Sequence, residues 1–515
     1  MPRAIDWLDR RAHLSPRSTA LVDAASGDRV TYAEWNASAN RTAHYLTGPL
    51  GVRAGDRVAV LAGNCIEYLD LWFACGKVGA VLQNLNWRLA EGELGALIED
   101  AAPTVLVYGN DFADAAGRLR EASDVACVRH WVALDGQPLA GDPSLAERAG
   151  ESAATPPMPD LDQDSPWVIC YTGGTTGLPK GAILTHGNIT WNAINTVASW
   201  GVGPEDTAIL NAPLFHTGAL NVFTAPLVYA GGCSVVCSTF DANQVFDLVA
   251  AGEVTVFFGV PTMFSMLQEH PRWREADFSG LKLVISGGAP CPQPVFEAFW
   301  DKGVDFKTGY GLTEAGPNTF WLPPEQVRDK PGAVGYPLMH VDVELRESDS
   351  GERIVEPGRT GELLIRGPHR TPGYWNRPDA TAEAIDADGW FHTGDLASFD
   401  ADGAYTIVGR LKDMYISGGE NVYPAEIEKV LYSHPDIADA AVFGISDRTW
   451  GEVGCAVIVL VAGAELQART LRLWLKEHLA RYKIPRRIEF VDALPTTGAG
   501  KIDKRTLHDR YQGEE

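Results

Sequence analysis

The sequence has little positive charge, few cysteines close to one another and no long uninterrupted apolar run. Its 515 residues include 67 acidic and 43 basic ones, which gives a formal charge of −24. Nucleic acids and anionic membranes attract basic surfaces, so we expect neither as a partner. The longest mainly apolar stretch, 58–82, is interrupted by polar or charged residues, whereas a membrane span needs roughly 20 apolar residues in succession. We therefore expect no integral membrane segment.

The amino terminus, MPRAIDWLDRRAHL, lacks the uncharged apolar segment of a secretory signal. Eight cysteines are scattered along the chain and only Cys233 and Cys237 are close, while no histidine or second cysteine pair completes a zinc pattern. Several cysteines stand in apolar strings such as 72–75, which is typical of small core residues. These observations favour a cytoplasmic protein.

Most of the chain alternates between helical and strand patterns. The predicted elements are helices at 31–46 and 66–79 and strands at 57–62, 105–108, 167–170, 254–258 and 283–286. Such alternation predicts layers of helices and sheet, an α/β fold, rather than separate all-α or all-β units. The segment 151–165 is rich in Pro, Ala and Asp and is typical of an exposed connection.

The pattern changes near residues 401–414, where turn residues become frequent. Beyond them the sequence predicts helices at 425–433 and 470–479 and strands at 439–443, 455–461 and 487–491. These elements are enough for a small α+β domain. We predict a large multi-layer α/β body over 1–410 and a small C-terminal domain over 411–515.

A dense run of glycines, hydroxyl residues and a lysine follows the strand predicted at 167–170. It reads Tyr-Thr-Gly-Gly-Thr-Thr-Gly-Leu-Pro-Lys-Gly over 171–181. Glycines let backbone N–H groups approach phosphate oxygens, hydroxyls add donors and Lys180 adds positive charge. The run therefore predicts a phosphate loop rather than a plain flexible turn. It lacks the Gly-Lys-Ser/Thr spacing of a Walker A motif, as does 498–501, which Ile502 follows; this weakens kinase and P-loop ATPase interpretations.

With this loop the chain resembles the acyl-adenylate-forming superfamily, which comprises acyl-CoA synthetases, nonribosomal peptide adenylation domains and luciferases. The resemblance covers nearly the whole chain, and the motifs follow one another in the family's order. The commonest form of the loop has Ser where this chain has Gly173. The resemblance implies that the loop binds ATP through Thr172, Gly173, Gly174, Thr175, Thr176, Gly177 and Lys180.

Two further motifs carry the resemblance towards the acyl group and the adenine. The run 213–218, Pro-Leu-Phe-His-Thr-Gly, resembles the family's aromatic gate, with His216 beside the acyl carbonyl. Taken alone, this run is more typical of a histidine at the start of a helix. The run 286–290 resembles the segment that lies along adenine and places Gly288, Ala289 and Pro290 there, although by itself it would be a turn.

The run 309–314, Gly-Tyr-Gly-Leu-Thr-Glu, is the more specific signal. An aromatic face suits adenine, a hydroxyl can reach a phosphate, and a carboxylate suits Mg²⁺, which takes oxygen ligands. The resemblance assigns these roles to Tyr310 with Gly311, to Thr313 and to Glu314, and implies Thr176 as a second ligand of Mg²⁺.

The last motifs concern ribose, domain movement and catalysis. A carboxylate can accept two hydrogen bonds from a vicinal diol, and Asp395 stands in the run Thr-Gly-Asp that resembles the ribose-binding element. The resemblance implies that Arg410 is a second ribose contact, Lys412 a hinge and the glycine-flanked Lys501 the catalytic lysine of a mobile C-terminal lid. It also implies that Gly418 and Gly419 line a tunnel for coenzyme A. For any single lysine, a solvated surface charge is the plainer alternative.

The reaction implied joins two anions, the acid and ATP, into an acyl-adenylate that passes its acyl group to a thiol. Lys180, Lys501 and Mg²⁺ would offset the charge that builds in the transition state. Amino-acid-activating relatives usually carry Asp where this chain has Thr217, which disfavours an amino acid. The expected acyl pocket is small or apolar and suits an apolar acid; it consists of Phe215, Ala219, Val222, Gly288, Gly309, Gly311 and Asn318.

Coenzyme A is the expected acceptor, because no carrier domain follows the last motif. Three alternatives stay open: a stand-alone enzyme that loads a carrier protein, an enzyme that acts mainly on preformed acyl-AMP, and a non-catalytic nucleotide- or acyl-binding regulator. The sequence is also compatible with a homodimer. The expected small molecules are thus a carboxylic acid, ATP, Mg²⁺ and coenzyme A.

Overall fold

The computed structural model describes residues 3–122, 125–139, 141–173, 179–348, 350–417, 420–447, 450–496 and 502–512. Its α-helices are α1 (Trp7–Leu14), α2 (Tyr32–Thr47), α3 (Ile66–Val78), α4 (Glu91–Ala101), α5 (Ala113–Arg120), α6 (His186–Trp200), α7 (Thr217–Ala219), α8 (Ala225–Ala230), α9 (Ala242–Ala250), α10 (Pro261–Glu269), α11 (Gln293–Asp301), α12 (Pro378–Ala384), α13 (Pro424–Tyr432), α14 (Ala468–His478) and α15 (Lys504–Tyr511). Its strands are β1 (Thr19–Asp23), β2 (Arg29–Thr31), β3 (Arg57–Leu61), β4 (Val81–Asn84), β5 (Val105–Tyr108), β6 (His130–Ala133), β7 (Pro166–Thr172), β8 (Lys180–Thr185), β9 (Thr207–Leu210), β10 (Cys233–Val236), β11 (Val256–Gly259), β12 (Leu283–Ser286), β13 (Lys307–Thr308), β14 (Phe320–Trp321), β15 (Tyr336–Pro337), β16 (Asp342–Arg346), β17 (Arg353–Ile354), β18 (Gly361–Arg366), β19 (Phe391–Phe399), β20 (Tyr405–Arg410), β21 (Tyr415–Ser417), β22 (Glu420–Val422), β23 (Ile437–Asp447), β24 (Gly451–Leu460) and β25 (Arg487–Phe490).

Two mainly parallel sheets form the large body. One has six strands in the order β6-β5-β3-β4-β7-β8, and the other has seven in the order β13-β12-β11-β9-β10-β1-β2. The pairs β7–β8 and β1–β2 at the sheet edges are antiparallel. Strands such as β5 and β12 are continuous apolar runs that are buried throughout, because helices cover both faces of a parallel sheet. The main core contains Trp35 of α2 and Trp72 of α3.

A five-stranded antiparallel sheet, β17-β16-β18-β19-β20, follows these two sheets along the chain. The C-terminal part then builds its own sheet, β22-β21-β24-β23, with β25 paired to β24. Helices α13 and α14 contribute Ile427, Leu431, Leu471 and Leu475 to a separate core on that sheet. The chain passes from one sheet to the other between Arg410, the last residue of β20, and Tyr415, the first of β21.

The predicted fold class, an α/β body with a smaller C-terminal α+β domain, is confirmed. The strands predicted at 105–108 and 283–286 have the bounds of β5 and β12. The strand predicted at 254–258 instead spans Val256–Gly259, because the paired register with Leu283 of β12 and Ala208 of β9 begins at Val256. Across the described residues, no helix combines the length and the apolar character needed to cross a membrane.

Candidate active site

The carboxyl ends of neighbouring parallel strands bring two of the motifs together. β11, β12 and β13 pair in parallel, with Gly259 opposite Ser286 and Ser286 opposite Thr308. The runs 286–290 and 309–314 therefore leave the sheet at one edge, which is where parallel α/β sheets usually bind ligands.

The turn after β12 is accessible at this edge. Gly288 and Pro290 are exposed and Ala289 is half-buried, and Gly288 has the positive φ of 81° that glycine adopts readily. Gly309 and Gly311 are instead closely packed. A side chain at Gly309 would meet Ile285 at 2.7 Å, and one at Gly311 would meet the Pro317 carbonyl at 2.2 Å. These two glycines thus allow the strand end and its loop to approach each other.

Glu314 is the centre of a hydrogen-bond network beside the phosphate loop. Its carboxylate oxygen Oε1 accepts from the Thr172 hydroxyl at 3.0 Å and from the Tyr374 hydroxyl at 3.0 Å. Glu314 is 8% exposed, so its charge is held by these donors rather than by bulk water. Burial and the nearby Glu314 carboxylate raise the pKa of Tyr374, which therefore remains a donor.

Tyr374 reaches this network because its backbone lies along β8. Ile183 N donates to Gly373 O at 3.1 Å and Trp375 N donates to Gly181 O at 2.7 Å. The ring of Tyr374 lies 5.1 Å from Lys180 Nζ at the start of the same strand, within the range of a cation–π contact. The segment 371–375 thus connects the lysine of the phosphate loop to the carboxylate of the 309–314 motif.

The opposite side of the site is a three-residue arrangement around Asp395. Tyr310 donates its hydroxyl to Asp395 Oδ2 at 2.7 Å, and Arg410 Nε lies 2.9 Å from Asp395 Oδ1. Asp395 and Arg410 face each other because they are paired residues of the antiparallel strands β19 and β20. Burial, and then Asp395, raise the pKa of Tyr310. The carboxylate is 5% exposed, and these two contacts hold both of its oxygens in place.

Lys412 lies two residues after Arg410, in the short turn Leu411–Asp413 between the two sheets. Burial, and then the charge of Arg410, lower the pKa of Lys412. The lysine is therefore part of the same charged surroundings as Asp395.

The predicted gate, residues 213–218, contacts β7 through Cys170. Phe215 is buried, its backbone oxygen accepts from the Cys170 thiol at 3.6 Å, and its ring meets the edge of Trp87 at 5.9 Å. His216 is half-buried, stands at the N-cap position of α7 and has its ring centroid 4.5 Å from that of Phe215. Burial raises the pKa of Cys170 to about 12, and the side chain of Thr313 hydrogen-bonds this thiol. Phe215 of the gate and Thr313 of the 309–314 motif thus both contact the buried thiol of Cys170.

Phe258 lines the predicted acyl pocket between two glycines. A side chain at Gly218 would lie 3.2 Å from one edge of the ring, and one at Gly287 would lie 3.0 Å from the other. A small cavity beside the ring is bordered by Ala219 and Val222. Phe258 is half-buried although its strand neighbours Phe257 and Gly259 are buried. The pocket is thus a narrow space with one aromatic wall.

Asn318 is buried and hydrogen-bonds the π-helical turn Leu220–Thr224. Its amide nitrogen donates to the backbone oxygen of Val222 at 3.0 Å and to the Thr196 hydroxyl at 2.8 Å. Asn318 is therefore attached to the pocket wall through its side chain.

Several predicted residues lie outside the described parts of the chain. They are Gly174, Thr175, Thr176 and Gly177 of the phosphate loop, Gly418 and Gly419 of the predicted tunnel, and Lys501. The described residues nearest to them in the phosphate loop are Gly173, which follows β7, and Pro179, which precedes Lys180 at the start of β8.

The sequence reasoning missed Tyr374, Phe258 and Trp87. Tyr374 stands in Pro-Gly-Tyr-Trp, whose only local signal is a turn. Phe258 was recognised as part of a strand but not as a pocket wall, because strand periodicity does not reveal which ring faces a ligand.

The oxygen donors at Glu314 fit a hard divalent cation. A carboxylate and a hydroxyl, from Glu314 and Thr172, are the ligand types that Mg²⁺ takes in nucleotide sites, with phosphate oxygens and water completing the shell. The described residues contain no group of three or more His, Cys, Asp or Glu side chains that could hold a metal alone. A metal here would therefore depend on oxygens from the nucleotide.

Comparison with known proteins gives matches along nearly the whole chain. The family of AMP-binding enzymes matches residues 8–375, and the AMP-binding enzyme C-terminal domain matches residues 426–501. A feruloyl-CoA synthase from an Amycolatopsis species is 43% identical over 98% of both chains. An indoleacetate–CoA ligase from Aromatoleum aromaticum is 38% identical over 97% of this chain and 96% of that protein.

Solved structures agree with these matches. ATP-bound MatB from Rhodopseudomonas palustris superimposes with a TM-score of 0.91 at 33% identity, over 99% of both chains. Both the predicted superfamily and the predicted acid–thiol ligase reaction are confirmed by the relatives. The chain belongs to the AMP-binding enzymes, as an acyl-CoA synthetase that joins a carboxylic acid to coenzyme A through an acyl-adenylate.

Proposed function

We propose that the acid activated by this synthetase is aromatic, of the arylpropenoic or arylacetic type. The observation that carries the proposal is the ring of Phe258 between Gly218 and Gly287. The absence of a side chain at Gly218 and Gly287 leaves room for the Phe258 ring at this position, and an aromatic acid can pack edge-on or offset-stacked against such a ring. The relatives named for feruloyl-CoA and indoleacetate–CoA support the same class.

The first half-reaction makes a mixed anhydride. A carboxylate oxygen of the acid attacks the α-phosphorus of ATP, the bond to the bridging oxygen breaks, and pyrophosphate leaves. Lys180 and Lys501 offset the negative charge of the two partners, and Glu314 would hold Mg²⁺, which would supply further positive charge at the phosphates. Thr172 and Tyr374 fix the Glu314 carboxylate through its two hydrogen bonds.

The nucleotide is held at both ends of its adenosine. We assign the adenine to Tyr310 and the exposed turn Gly288–Pro290, and the ribose hydroxyls to Asp395 with Arg410. The 2.7 Å and 2.9 Å contacts of Asp395 orient its carboxylate before the ribose arrives, so little reorganisation is needed on binding. His216 and Phe215 would then lie beside the acyl carbonyl.

The second half-reaction forms the thioester. The thiol of coenzyme A loses its proton to solvent as its sulfur attacks the acyl carbonyl carbon, and AMP leaves with the electrons of the anhydride bond. We infer that residues 411–515 rotate as a lid about Lys412 between the two steps, so that Gly418 and Gly419 replace Lys501 at the site. The change of sheet between Arg410 and Tyr415 supports a domain boundary there, because few contacts cross such a connection. Since ATP and coenzyme A are substrates, we propose that the enzyme works in the cytoplasm.

The test compares two acids with equal numbers of carbon atoms. Phenylpropenoic acid and nonanoic acid are supplied with ATP and coenzyme A, and AMP release is measured. The aromatic acid should give a kcat/KM at least tenfold higher. Equal values, or a preference for the fatty acid, would remove the aromatic assignment.

A pair of glycine variants tests the pocket itself. Gly218→Ala adds a methyl group 3.2 Å from the Phe258 ring, whereas Gly92→Ala adds one with no atom within 4 Å. We expect Gly218→Ala to raise the KM for the aromatic acid and to leave the KM for ATP unchanged. Gly92→Ala should change neither value. An unchanged KM for the acid in Gly218→Ala would show that the space beside Phe258 is not the acyl site.

A further inference from the structure

The carboxylate of Asp100 holds a tyrosine with one oxygen and an arginine with the other. The Tyr171 hydroxyl donates to Oδ2 at 2.8 Å, and Arg377 Nη1 lies 2.8 Å from Oδ1. The Asp100 side chain is 11% exposed, so these two donors replace much of the water that a carboxylate would otherwise bind. Burial, and then Asp100, raise the pKa of Tyr171, which therefore remains a donor.

Both partners of this carboxylate are close in sequence to residues of the candidate phosphate site. Tyr171 directly precedes Thr172, the last residue of β7. Arg377 follows Tyr374 by three residues. Thr172 and Tyr374 are the two hydroxyl donors to Glu314 Oε1. One carboxylate thus connects the two chain segments whose side chains meet at Glu314.

The backbone at the end of α4 adds to this connection. Asn376 Nδ2 donates to Asp100 O at 2.9 Å, and Asn376 has a φ of 52°, which asparagine adopts more readily than most residues. On the other side, Trp375 N donates to Gly181 O of β8 at 2.7 Å. The segment that carries Tyr374 is therefore fixed between α4 and β8.

The position of Asp100 is unfavourable for the helix that contains it. Asp100 is the penultimate residue of α4, which ends at Ala101. The C-terminal end of a helix carries partial negative charge, so a carboxylate in its last turn is destabilising. The carboxylate is therefore better explained by its two donors than by the stability of the helix.

A second group of tyrosine, aspartate and arginine offers a comparison. Asp142 Oδ2 accepts from the Tyr108 hydroxyl at 2.8 Å and lies 2.5 Å from Arg120, and its side chain is 9% exposed. Tyr108 ends β5, which β3 and β4 separate from β7 in the six-stranded sheet. This group has the same chemistry as that of Asp100 and similar burial, but its tyrosine is not next to the phosphate loop.

We propose that Asp100 is a positioning residue for adenylate formation, which holds the start of the phosphate loop and the Tyr374 segment in one alignment for the phosphates of ATP. It acts through Thr172 and Tyr374 and does not contact ATP itself. The role rests on the phosphate site that the proposed function places at Glu314. Because AMP lacks the two terminal phosphates, its binding should depend on this alignment less than the binding of ATP does.

Binding of ATP and AMP to the full-length enzyme tests the alignment directly. Asp100→Ala removes both contacts, and because bonds to a carboxylate are strong we expect a Kd for ATP about tenfold higher or more. The Kd for AMP should stay within about twofold of wild type, whereas a general loss of structure would weaken both nucleotides alike. Equilibrium dialysis with Mg²⁺ and without an acid gives both values, so they do not depend on the aromatic class proposed above.

The two half-reactions give a second readout. With phenylpropenoic acid, or nonanoic acid if only that is activated, ATP–pyrophosphate exchange by Asp100→Ala should be about tenfold slower or more. Thioester formation from the premade adenylate of the same acid should stay within about twofold of wild type. Asp142→Ala is the matched control: its melting temperature should also fall, but both rates and both Kd values should stay within about twofold of wild type.

Single-contact variants keep the test valid if Asp100→Ala does not fold. Tyr171→Phe and Arg377→Met each remove one of the two contacts and should raise the Kd for ATP by a smaller factor, again with little change for AMP. Tyr108→Phe and Arg120→Met are their counterparts in the comparison group and should change neither Kd. Unchanged ATP binding in both Tyr171→Phe and Arg377→Met would contradict the role of Asp100.

Glu314→Gln separates failure of this role from failure of the proposed function. If Asp100→Ala behaves like Asp142→Ala, or weakens ATP and AMP equally, while Glu314→Gln is impaired in exchange, only the role of Asp100 is wrong. If Glu314→Gln keeps wild-type exchange and wild-type ATP binding, the phosphate site is assigned wrongly, and the role of Asp100 fails with it.

Discussion

Replacing Tyr374 by phenylalanine isolates one hydrogen bond at the candidate phosphate site. The variant keeps the ring that lies 5.1 Å from Lys180 Nζ and removes the hydroxyl that donates to Glu314 Oε1 at 3.0 Å. Thr172 then remains as the other hydroxyl donor to that oxygen. The carboxylate that we assign to Mg²⁺ therefore loses half of its hydroxyl support without a change in charge.

The size of the effect follows from the type of bond. A hydrogen bond to a charged group contributes about 1.5–3 kcal/mol, and each 1.36 kcal/mol of activation free energy is a factor of ten in rate. Glu314 is nearly buried, so water cannot fully replace the lost donor. We expect acyl-adenylate formation by Tyr374→Phe to be roughly 10- to 100-fold slower, with a higher Mg²⁺ concentration needed for half-maximal rate.

Two assays test this reasoning. ATP–pyrophosphate exchange measures adenylate formation, and thioester formation from premade acyl-AMP measures the second step, which we expect to stay near the wild-type rate. Tyr336→Phe is the matched control, since it removes a hydroxyl that donates to Gln326 at 2.9 Å, away from the candidate site residues. An exchange rate within twofold of wild type, or an equal loss in both half-reactions, would refute the role given to Tyr374.

Three further predictions concern catalysis, ribose binding and pH. Lys501→Ala should abolish ATP–pyrophosphate exchange while sparing thioester formation from acyl-AMP; normal exchange would contradict the assignment. Asp395→Asn removes the charge that Arg410 pairs with at 2.9 Å. Because hydrogen bonds to a carboxylate are strong, the variant should raise the KM for ATP about 10-fold or more; an unchanged KM would place the ribose elsewhere. Burial lowers the pKa of His186 from 6.5 to about 4, so the unfolded chain takes up a proton at higher pH than the folded one, and stability present above pH 6.5 is lost as the pH falls towards 4. Between pH 7 and 5 this shift lowers the free energy of unfolding of the wild type by about 2 kcal/mol. His186→Phe, which keeps a ring against Trp167, should therefore reduce the fall in melting temperature over this range; an identical fall in both proteins would show that another group titrates.

The elements that local pattern predicted well are those whose burial is uniform. The strand predicted at 105–108 is buried at every position. Complete burial requires an apolar residue at each position, so the uninterrupted apolar run indicates the whole strand. The helix predicted at 31–46 also begins where Thr31 and Glu34 form a capping box, a signal written in adjacent residues. The bounds predicted as 254–258 were wrong, because the pairing with neighbouring strands runs from Val256 to Gly259 and the apolar run does not show where pairing begins.

The candidate site was only partly accessible to the sequence. Motif order located Glu314, Tyr310 and Asp395, and the structure adds that the last two share a 2.7 Å hydrogen bond. Tyr374 could not be found in this way, because it meets Glu314 only after its backbone has docked on β8, far away in the sequence. Its contact depends on tertiary pairing, for which no spacing rule exists.

The docking of residues 371–375 on β8 constrains how this enzyme can be recombined with a relative. A chimaera whose junction falls between residues 185 and 371 takes the strand from one parent and the segment lying on it from the other. The β8 backbone of one parent must then fit the 371–375 backbone of the other without having evolved with it. The hydrogen bond from Tyr374 to Glu314 depends on that fit. Libraries shuffled after residue 375 keep both parts together, so they should yield a larger share of adenylating clones than libraries cut earlier.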